Sequence, residues 1–391
     1  MEGSIRRGVN AMEDAVFSKG LDGVVVARSE ICQVDGINGK LYYRGYPIED
    51  LAAHSTFEET TYLLLNEHLP TKDELTEFQA RMRRSRSLDP HIRSMIKNFP
   101  PDGKCMELLQ SVVSYLSGYV EHKIHHSATC DCRITLHQIV QLTSVVATYQ
   151  RFKEGKQYVE PDMELSHGGN FLYMLRGTKP EPHEAEIMDR ALVIHAEHEL
   201  NASTFTARVV ASTLSTCYSS ISAAIGALSG SLHGGANEDV LKMIDEIGSA
   251  ENVDAWFADA IAKKKKIPGM GHRVYVAKDP RAYIMEEDLK TLSGKRNDFR
   301  NYDILKKLEA LSAPVLGKKE HHIYANVDFF SGSVFQLLGI PPQLFTPIFA
   351  MGRVSGWLAH ILEQRKDNRI YRPASIYEGP APRGYSAMET R

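Results

Sequence analysis

Apolar residues return every three to four positions along most of this chain, and that period leaves little room for a fold built on sheets. Between Lys104 and Glu121, Met106, Leu109, Val112, Val113 and Leu116 share one helical face. From Thr135 to Tyr149, the residues Leu136, Ile139, Val140, Val146 and Tyr149 do the same. Ile304, Leu305, Leu308 and Leu311 follow Asp303, which is placed to cap a helix N-terminus. Strand signals are few. The clearest lies near the N-terminus, where Ile31–Val34 and Leu41–Tyr43 flank the turn-rich Asp35-Gly-Ile-Asn-Gly39 and predict a small hairpin. The expected fold class is all-α with that one hairpin.

From Ala202 to Gly230 the chain is rich in Ala, Ser, Thr and Gly, which predicts a buried central or interface helix that neighbours approach closely. Pro/Gly clusters at Ser231–Ala236, Ile267–Gly271 and Gly339–Pro342 mark the edges of a smaller helical unit inserted in a larger one. The expected division is a large domain over 1–230, a small domain over 231–344, and a return to the large domain over 345–391. The irregular tail after Tyr371 is placed to reach a partner subunit.

Composition narrows the function. Lys plus Arg is 46 and Asp plus Glu is 49, a net charge of −3, without the basic excess of a nucleic-acid binder. The 43% apolar fraction excludes a disordered chain. Five cysteines are too few and too odd for a disulfide framework, so a reducing compartment is expected. No apolar run is long enough to cross a bilayer, and the first twenty residues lack an apolar h-region. These readings point to the cytoplasm, and they make the sequon Asn201-Ala-Ser203 incidental.

Four segments set polar side chains among glycines or small residues: His195-Ala-Glu-His-Glu-Leu-Asn-Ala-Ser203, Ser231-Leu-His-Gly-Gly-Ala-Asn237, Pro268-Gly-Met-Gly-His-Arg273 and Asn326-Val-Asp-Phe-Phe-Ser-Gly332. Taken singly each has a bland reading: a histidine satisfied within the core, or Asp328 as a helix N-cap. The set carries more, because arginines at 281, 353 and 372 accompany it. Metal binding fits poorly. His195 and His198 are three apart rather than four, and neither His125-His126 nor Cys130-Asp-Cys132 has the usual two-residue spacer. A G-x-S-x-G elbow, a P-loop and a dinucleotide fingerprint are all absent.

In this order and spacing the motifs SLHGGAN, GMGHRV followed by Asp279-Pro-Arg281, and NVDFFSG resemble the citrate synthase family. The likeness runs over most of the chain and is strongest from about His195 to Pro373. Lys19–Val26 also resembles the compact bacterial-type members. The resemblance implies a mainly helical homodimer of large and small domains that closes on oxaloacetate and then takes acetyl-CoA as co-substrate, with no permanently bound cofactor and no metal. It implies that His233 polarises the thioester carbonyl, Asp328 takes the α-proton and His272 polarises the ketone. His198, Arg281 and Arg353 resemble the oxaloacetate ligands, and Arg372 the arginine lent by the other subunit. Ile267, Gly269, Met270 and Gly271 fall where the family holds the adenine of CoA.

These residue types suit that chemistry. A thioester methyl is a very weak carbon acid, and a carboxylate removes its proton only if charge on the carbonyl oxygen is stabilised as it forms. A neutral imidazole N–H can donate to that oxygen, and planar arginine forks bind carboxylates bidentately. The Lys263–Lys266 run reads either as a solvated helix C-terminus or as an attractor of CoA phosphates. Phe349 reads as a core aromatic or as a neighbour of the substrates. The chain departs from the family pattern at His321, where a lysine is common with Lys318 and Lys319 nearby, at Ala325 for proline and at Gly352 for serine. The near rival is a 2-methylcitrate synthase using propionyl-CoA. A citrate-cleaving lyase lacks a nucleotide-binding domain here, and a non-catalytic helical protein would have no need of His233, His272 and Asp328.

Overall fold

A computed structural model describes residues 17–119, 132–316 and 323–391. They carry sixteen α-helices and one three-stranded antiparallel sheet, as the apolar period requires. The three periodic stretches become helices Cys105–Leu116, Cys132–Lys153 and Arg300–Val315. Leu109, Val112, Ile139, Val140, Leu305 and Leu308 on their inner faces are buried in the core.

Two boundaries differ from expectation. Asp303 is not a cap: the helix starts at Arg300, which puts Asp303 in its first turn, where a carboxylate still meets the positive end of the dipole. The small-residue stretch is two helices, Ala202–Ser212 and Cys217–Leu228, separated by a turn in which Leu214 takes φ +61°. Each has its own N-cap. Asn201 Oδ1 accepts from the Thr204 N–H at 3.1 Å, and Thr216 Oγ1 from the Ser219 N–H at 3.0 Å. The sequon asparagine is therefore used internally.

The hairpin forms as predicted. Strand β1 (Cys32–Asp35) pairs antiparallel with β2 (Lys40–Tyr43), with Cys32 opposite Tyr43, and a short β3 (Tyr46–Pro47) extends the sheet. Its turn is held by Asp35, which accepts from the Asn38 N–H at 2.9 Å. Tyr43 is fully buried and its hydroxyl bonds to the carbonyls of Ile194 (3.1 Å) and Glu197 (2.8 Å), so the hairpin is anchored on the segment that carries His198.

Helix Phe345–Lys366 is buried on almost every face, the pattern of a helix inside a core rather than on it. It packs against helices Ala202–Ser212, Cys132–Lys153 and Pro182–His195. One face must be nearly bare for this. A Cβ at Gly356 would stand 2.1 Å from Glu197 Oε2 and 2.3 Å from the Ala196 carbonyl. The Gly356 N–H instead donates to that carbonyl at 3.1 Å, which fixes the backbone just before His198.

By backbone contact the chain forms two units. Glu30–Arg369 is the large one and contains every element above. Met1–Ser29 and Ile370–Arg391 make the other, in which the Tyr371 hydroxyl donates to the Val26 carbonyl and Arg372 is exposed. Among the described residues no helix is long and apolar enough to cross a membrane.

Candidate active site

Backbone pairing brings two of the four polar segments side by side. Gly271 donates to the Tyr324 carbonyl at 2.8 Å, and Asn326 donates to the Gly269 carbonyl at 2.9 Å. The Asn326 amide closes the junction by donating to the Gly271 carbonyl at 2.8 Å. The loop that ends in His272 is thus bound to the loop that ends in Asp328. Asp328 is the first residue of helix Asp328–Leu337 rather than its cap, and its own N–H is held by Asn326 Oδ1 at 2.9 Å. This removes the capping alternative and leaves the carboxylate without a hydrogen-bonded partner among the described residues.

The other two segments meet through a ring. The Ser203 N–H donates to His233 Nε2 at 3.2 Å. Ser203 Oγ lies 2.8 Å from the same nitrogen and receives the indole N–H of the fully buried Trp357 at 3.2 Å. A backbone N–H can only donate, so Nε2 must carry the lone pair and the ring proton resides on Nδ1. His272 uses the same device with the opposite nitrogen. The N–H groups of Val274 (3.0 Å) and Tyr275 (3.1 Å) both point at Nδ1, which leaves Nε2–H as the donor. Both rings stay uncharged. Burial, aided by Arg353, pushes His233 down to about 4. Burial, aided by Arg281, pushes His272 to about 4 as well.

His198 packs edge-on against His272 with centroids 5.2 Å apart, and its Nε2 lies 3.3 Å from the Tyr275 hydroxyl. Burial and then Arg281 hold it well below the usual histidine range. Arg281 is buried in a bidentate pair with Asp279, at 3.0 and 2.7 Å, and this pair outweighs burial to keep the guanidinium charged. Arg353 donates through Nε to the His195 carbonyl at 2.8 Å and lies over Phe349 at 4.6 Å. Its Nη2 is buried with no hydrogen-bond partner among the described residues, a donor left over for an anion. Phe349 is accordingly neither plain core nor free: it is the surface on which this arginine rests. Burial drives the Asp328 carboxyl up to about 6 against the pull of Arg281 and Arg353. At neutral pH it is ionised, yet more basic than an ordinary carboxylate.

A cavity of about 940 Å³ opens beside this cluster and is lined by His233, Gly269, Met270, Gly271, Asn326 and Trp256, among others. Three of the four residues expected to face CoA therefore share a space with His233. Ile267 does not. Its side chain is buried in the core, and only its carbonyl takes part, accepting from the Met270 N–H. The walls do not include His272, Asp328 or the two arginines, so the three expected catalytic side chains do not open onto this one space. The lysine run divides between two settings. Lys263 pairs with Asp259 at a helix end, whereas Lys265 and Lys266 line the cavity. His233 owes its setting to a close approach, because a Cβ at Gly234 would stand 2.6 Å from the Leu228 carbonyl.

The family model described as "Citrate synthase, C-terminal domain" matches residues 20–374. A citrate synthase of Synechocystis sp. is 43% identical over 97% of this chain and 95% of its own length. The chain belongs to the citrate synthase family. A 2-methylcitrate synthase of Mycobacterium tuberculosis is 39% identical over 93% of this chain and 91% of its own. The ternary complex of carboxymethyl coenzyme A and oxaloacetate with the citrate synthase of Thermoplasma acidophilum superposes with a TM-score of 0.89 at 33% identity, covering 96% of this chain and 99% of that one.

Several residues of this citrate synthase family enzyme have orienting roles that sequence reasoning did not assign. Ser203, Tyr275 and Asp279 orient His233, His198 and Arg281, but each is an ordinary polar residue until the fold supplies its partner. Glu197 is another. It and His360 are fully buried 3.0 Å apart, and Glu197 is the strongest influence sustaining the charge on Arg353 against burial. A buried carboxylate between two histidines in His195-Ala-Glu-His198 was the available signal. Among the departures, Gly352 has a structural reason, since a Cβ there would meet the Leu192 carbonyl at 2.9 Å. Ala325 is buried in the bridge to Met270. His321, Lys318, Lys319, Cys130 and the His125-His126 pair lie outside the described residues, as does the side chain of Cys132. Among the described residues no cluster of metal-ligating side chains occurs.

Proposed function

We propose that the enzyme condenses acetyl-CoA with oxaloacetate and hydrolyses the resulting citryl-CoA to citrate and CoA. Asp328 removes a proton from the acetyl methyl group while His233 Nδ1–H donates to the thioester oxygen. The C–H electron pair becomes the enol and then the new bond to the ketone carbon. His272 Nε2–H donates to the ketone oxygen, which takes up the electrons of its π bond and a proton to become the citryl hydroxyl. Water then adds to the thioester carbonyl and CoA leaves as the thiol. Arg281, Arg353 and His198 hold the oxaloacetate carboxylates and fix the ketone against the enol. Gly269, Met270 and Gly271 hold the nucleotide end of CoA.

The observation that carries this reading is the pair of neutral imidazoles. Each has one nitrogen filled by backbone N–H donors and therefore one N–H to offer to a developing oxyanion. Asp328 begins the helix whose leading loop is bound to the His272 loop, and both arginines pull on its carboxyl.

The small domain over 231–344 closes on the large one and excludes water from the first step. A second copy of the chain completes the site by lending Arg372. The terminal unit supports this assembly, since Tyr377, Tyr385 and Met388 are 76%, 87% and 70% exposed there. A cytoplasmic setting agrees with the unbridged thiols of Cys32 and Cys105.

The test is CoA thiol release with oxaloacetate and each acyl donor. Release with acetyl-CoA is expected, and no release with either donor would overturn the reading. The 39% identity to a 2-methylcitrate synthase favours trying propionyl-CoA beside it. One methylene in an apolar pocket discriminates by about 10- to 200-fold, so the ratio of kcat/KM values settles the acyl preference. A clear excess for propionyl-CoA assigns the enzyme to 2-methylcitrate with the same residues in the same roles.

A further inference from the structure

The turn of the β1–β2 hairpin lies along the backbone that follows His272. The Val276 N–H donates to the Gly36 carbonyl at 2.9 Å. A Cβ at Gly36 would stand 2.2 Å from the Val274 carbonyl oxygen, so no other residue permits this approach. Farther along, a Cβ at Gly39 would stand 2.9 Å from the Lys278 carbonyl. The hairpin thus tracks the backbone from Val274 to Lys278. The N–H groups that orient His272 belong to Val274 and Tyr275, the two residues just before the one that Gly36 holds.

The other side of the hairpin reaches the oxaloacetate segment. The Val34 N–H donates to Glu199 Oε1 at 3.1 Å. Glu199 follows His198 directly and takes φ +52°, a left-handed conformation that a glutamate adopts only when its surroundings impose it. Tyr275 closes the circuit, because its hydroxyl lies 3.3 Å from His198 Nε2. One small sheet therefore touches both segments that face the ketone substrate.

We infer that the β1–β2 hairpin, from Cys32 through the Asp35–Gly39 turn to Tyr43, is a positioning element for the condensation step. Its Gly36 carbonyl sets the backbone that aims His272, and its Val34 N–H sets the Glu199 conformation that aims His198. This rests on the assignment of His272 to the ketone. The hairpin touches no substrate. It acts by holding two donors in register, and a misplacement of about 1 Å at such donors can cost on the order of 100-fold in rate.

The experiment uses Gly36→Ala and Asp35→Ala in the full-length protein. Asp35→Ala removes only the side chain that holds the turn, at 2.9 Å to the Asn38 N–H and 2.7 Å to its amide. Two readouts are taken: steady-state kinetics, and the infrared stretch of the ketone of bound oxaloacetate, which reports its polarisation. Gly36→Ala is expected to lower kcat by about 30-fold and Asp35→Ala by about 3-fold, within the range that misplaced donors produce. KM for acetyl-CoA should stay within about twofold, since no residue of the turn lines the cavity beside His233, and the red shift of the ketone band should shrink in the same order. If Gly36→Ala does not fold, Asp35→Ala decides alone. Wild-type kcat with a full ketone shift in the folded variants overturns the positioning role. His272→Ala separates the two claims: if it leaves the ketone shift intact, the assignment of His272 fails, whatever the hairpin variants do.

Discussion

His233 and His272 reach the same chemical state by different routes. Both are neutral, both have one nitrogen filled by backbone N–H groups, and both keep one donor. His233 stands in a turn; its donor comes from Ser203, thirty positions away in helix Ala202–Ser212, and Trp357 steadies that serine from helix Phe345–Lys366. The donors to His272 come from Val274 and Tyr275, within its own turn. The nitrogen differs accordingly: Nε2 accepts in His233 and Nδ1 in His272. A histidine held by its own turn keeps its tautomer as long as the turn persists. One held from a distant helix loses it as soon as that helix shifts. His233 is thus coupled to the core, and His272 to a loop and the hairpin that supports it.

The largest expected effect removes what both halves need. Asp328→Asn should lower kcat by about 10²- to 10⁴-fold, the usual worth of a positioned base, while oxaloacetate binding measured by titration stays near normal. Substantial turnover in this variant would remove Asp328 from the mechanism.

Next come the two donors. His233→Ala and His272→Ala should each cost about 10²- to 10³-fold in kcat, as loss of one oxyanion donor does. Their signatures should differ. Only the His272 change should abolish polarisation of bound oxaloacetate, and equal spectra in both variants would erase the distinction drawn here.

A smaller effect is set by pH. The Asp328 carboxyl stands at about 6 and both imidazoles at about 4. The base is raised above its ordinary value, so it is lost by protonation as pH falls through about 6, while both histidines remain neutral and competent. The profile of kcat/KM should show a single acid limb with its midpoint near 6 and no second inflection until about 4. A limb near the ordinary histidine value, with an imidazolium as the active form, would contradict it.

The smallest effect probes the tertiary support of His233. Ser203→Ala keeps the backbone donor but strands the buried Trp357 indole N–H. Thermal or denaturant unfolding should show a loss of about 1–3 kcal/mol, with only a few-fold change in kcat. A large kcat loss would mean that the hydroxyl, rather than the backbone, sets the tautomer.

Much of this was legible from residues alone. The helical period located the long helices because burial demands it, and Asp35-Gly-Ile-Asn-Gly39 marked the hairpin by its turn chemistry. Boundaries were less legible. Asp303 had the composition of a cap but lies inside its helix, and the Ala202–Gly230 stretch hid a break at Leu214 because small residues are compatible with either outcome. In the site, glycine-flanked histidines and Asp328 stood out, since a core has no use for them. Ser203, Tyr275, Asp279 and Glu197 did not, because each acts through a partner that only folding supplies. Ile267 was placed with the CoA residues by resemblance; its apolar side chain lies in the core, and its carbonyl accepts from the Met270 N–H.

The central claim is the opposed tautomers of two neutral rings, and nitrogen-15 NMR of histidine-labelled protein at pH 7 reads them directly. The account predicts an unprotonated Nε2 with a protonated Nδ1 in His233, and the reverse in His272. A doubly protonated ring at either position, or the same tautomer at both, would contradict it.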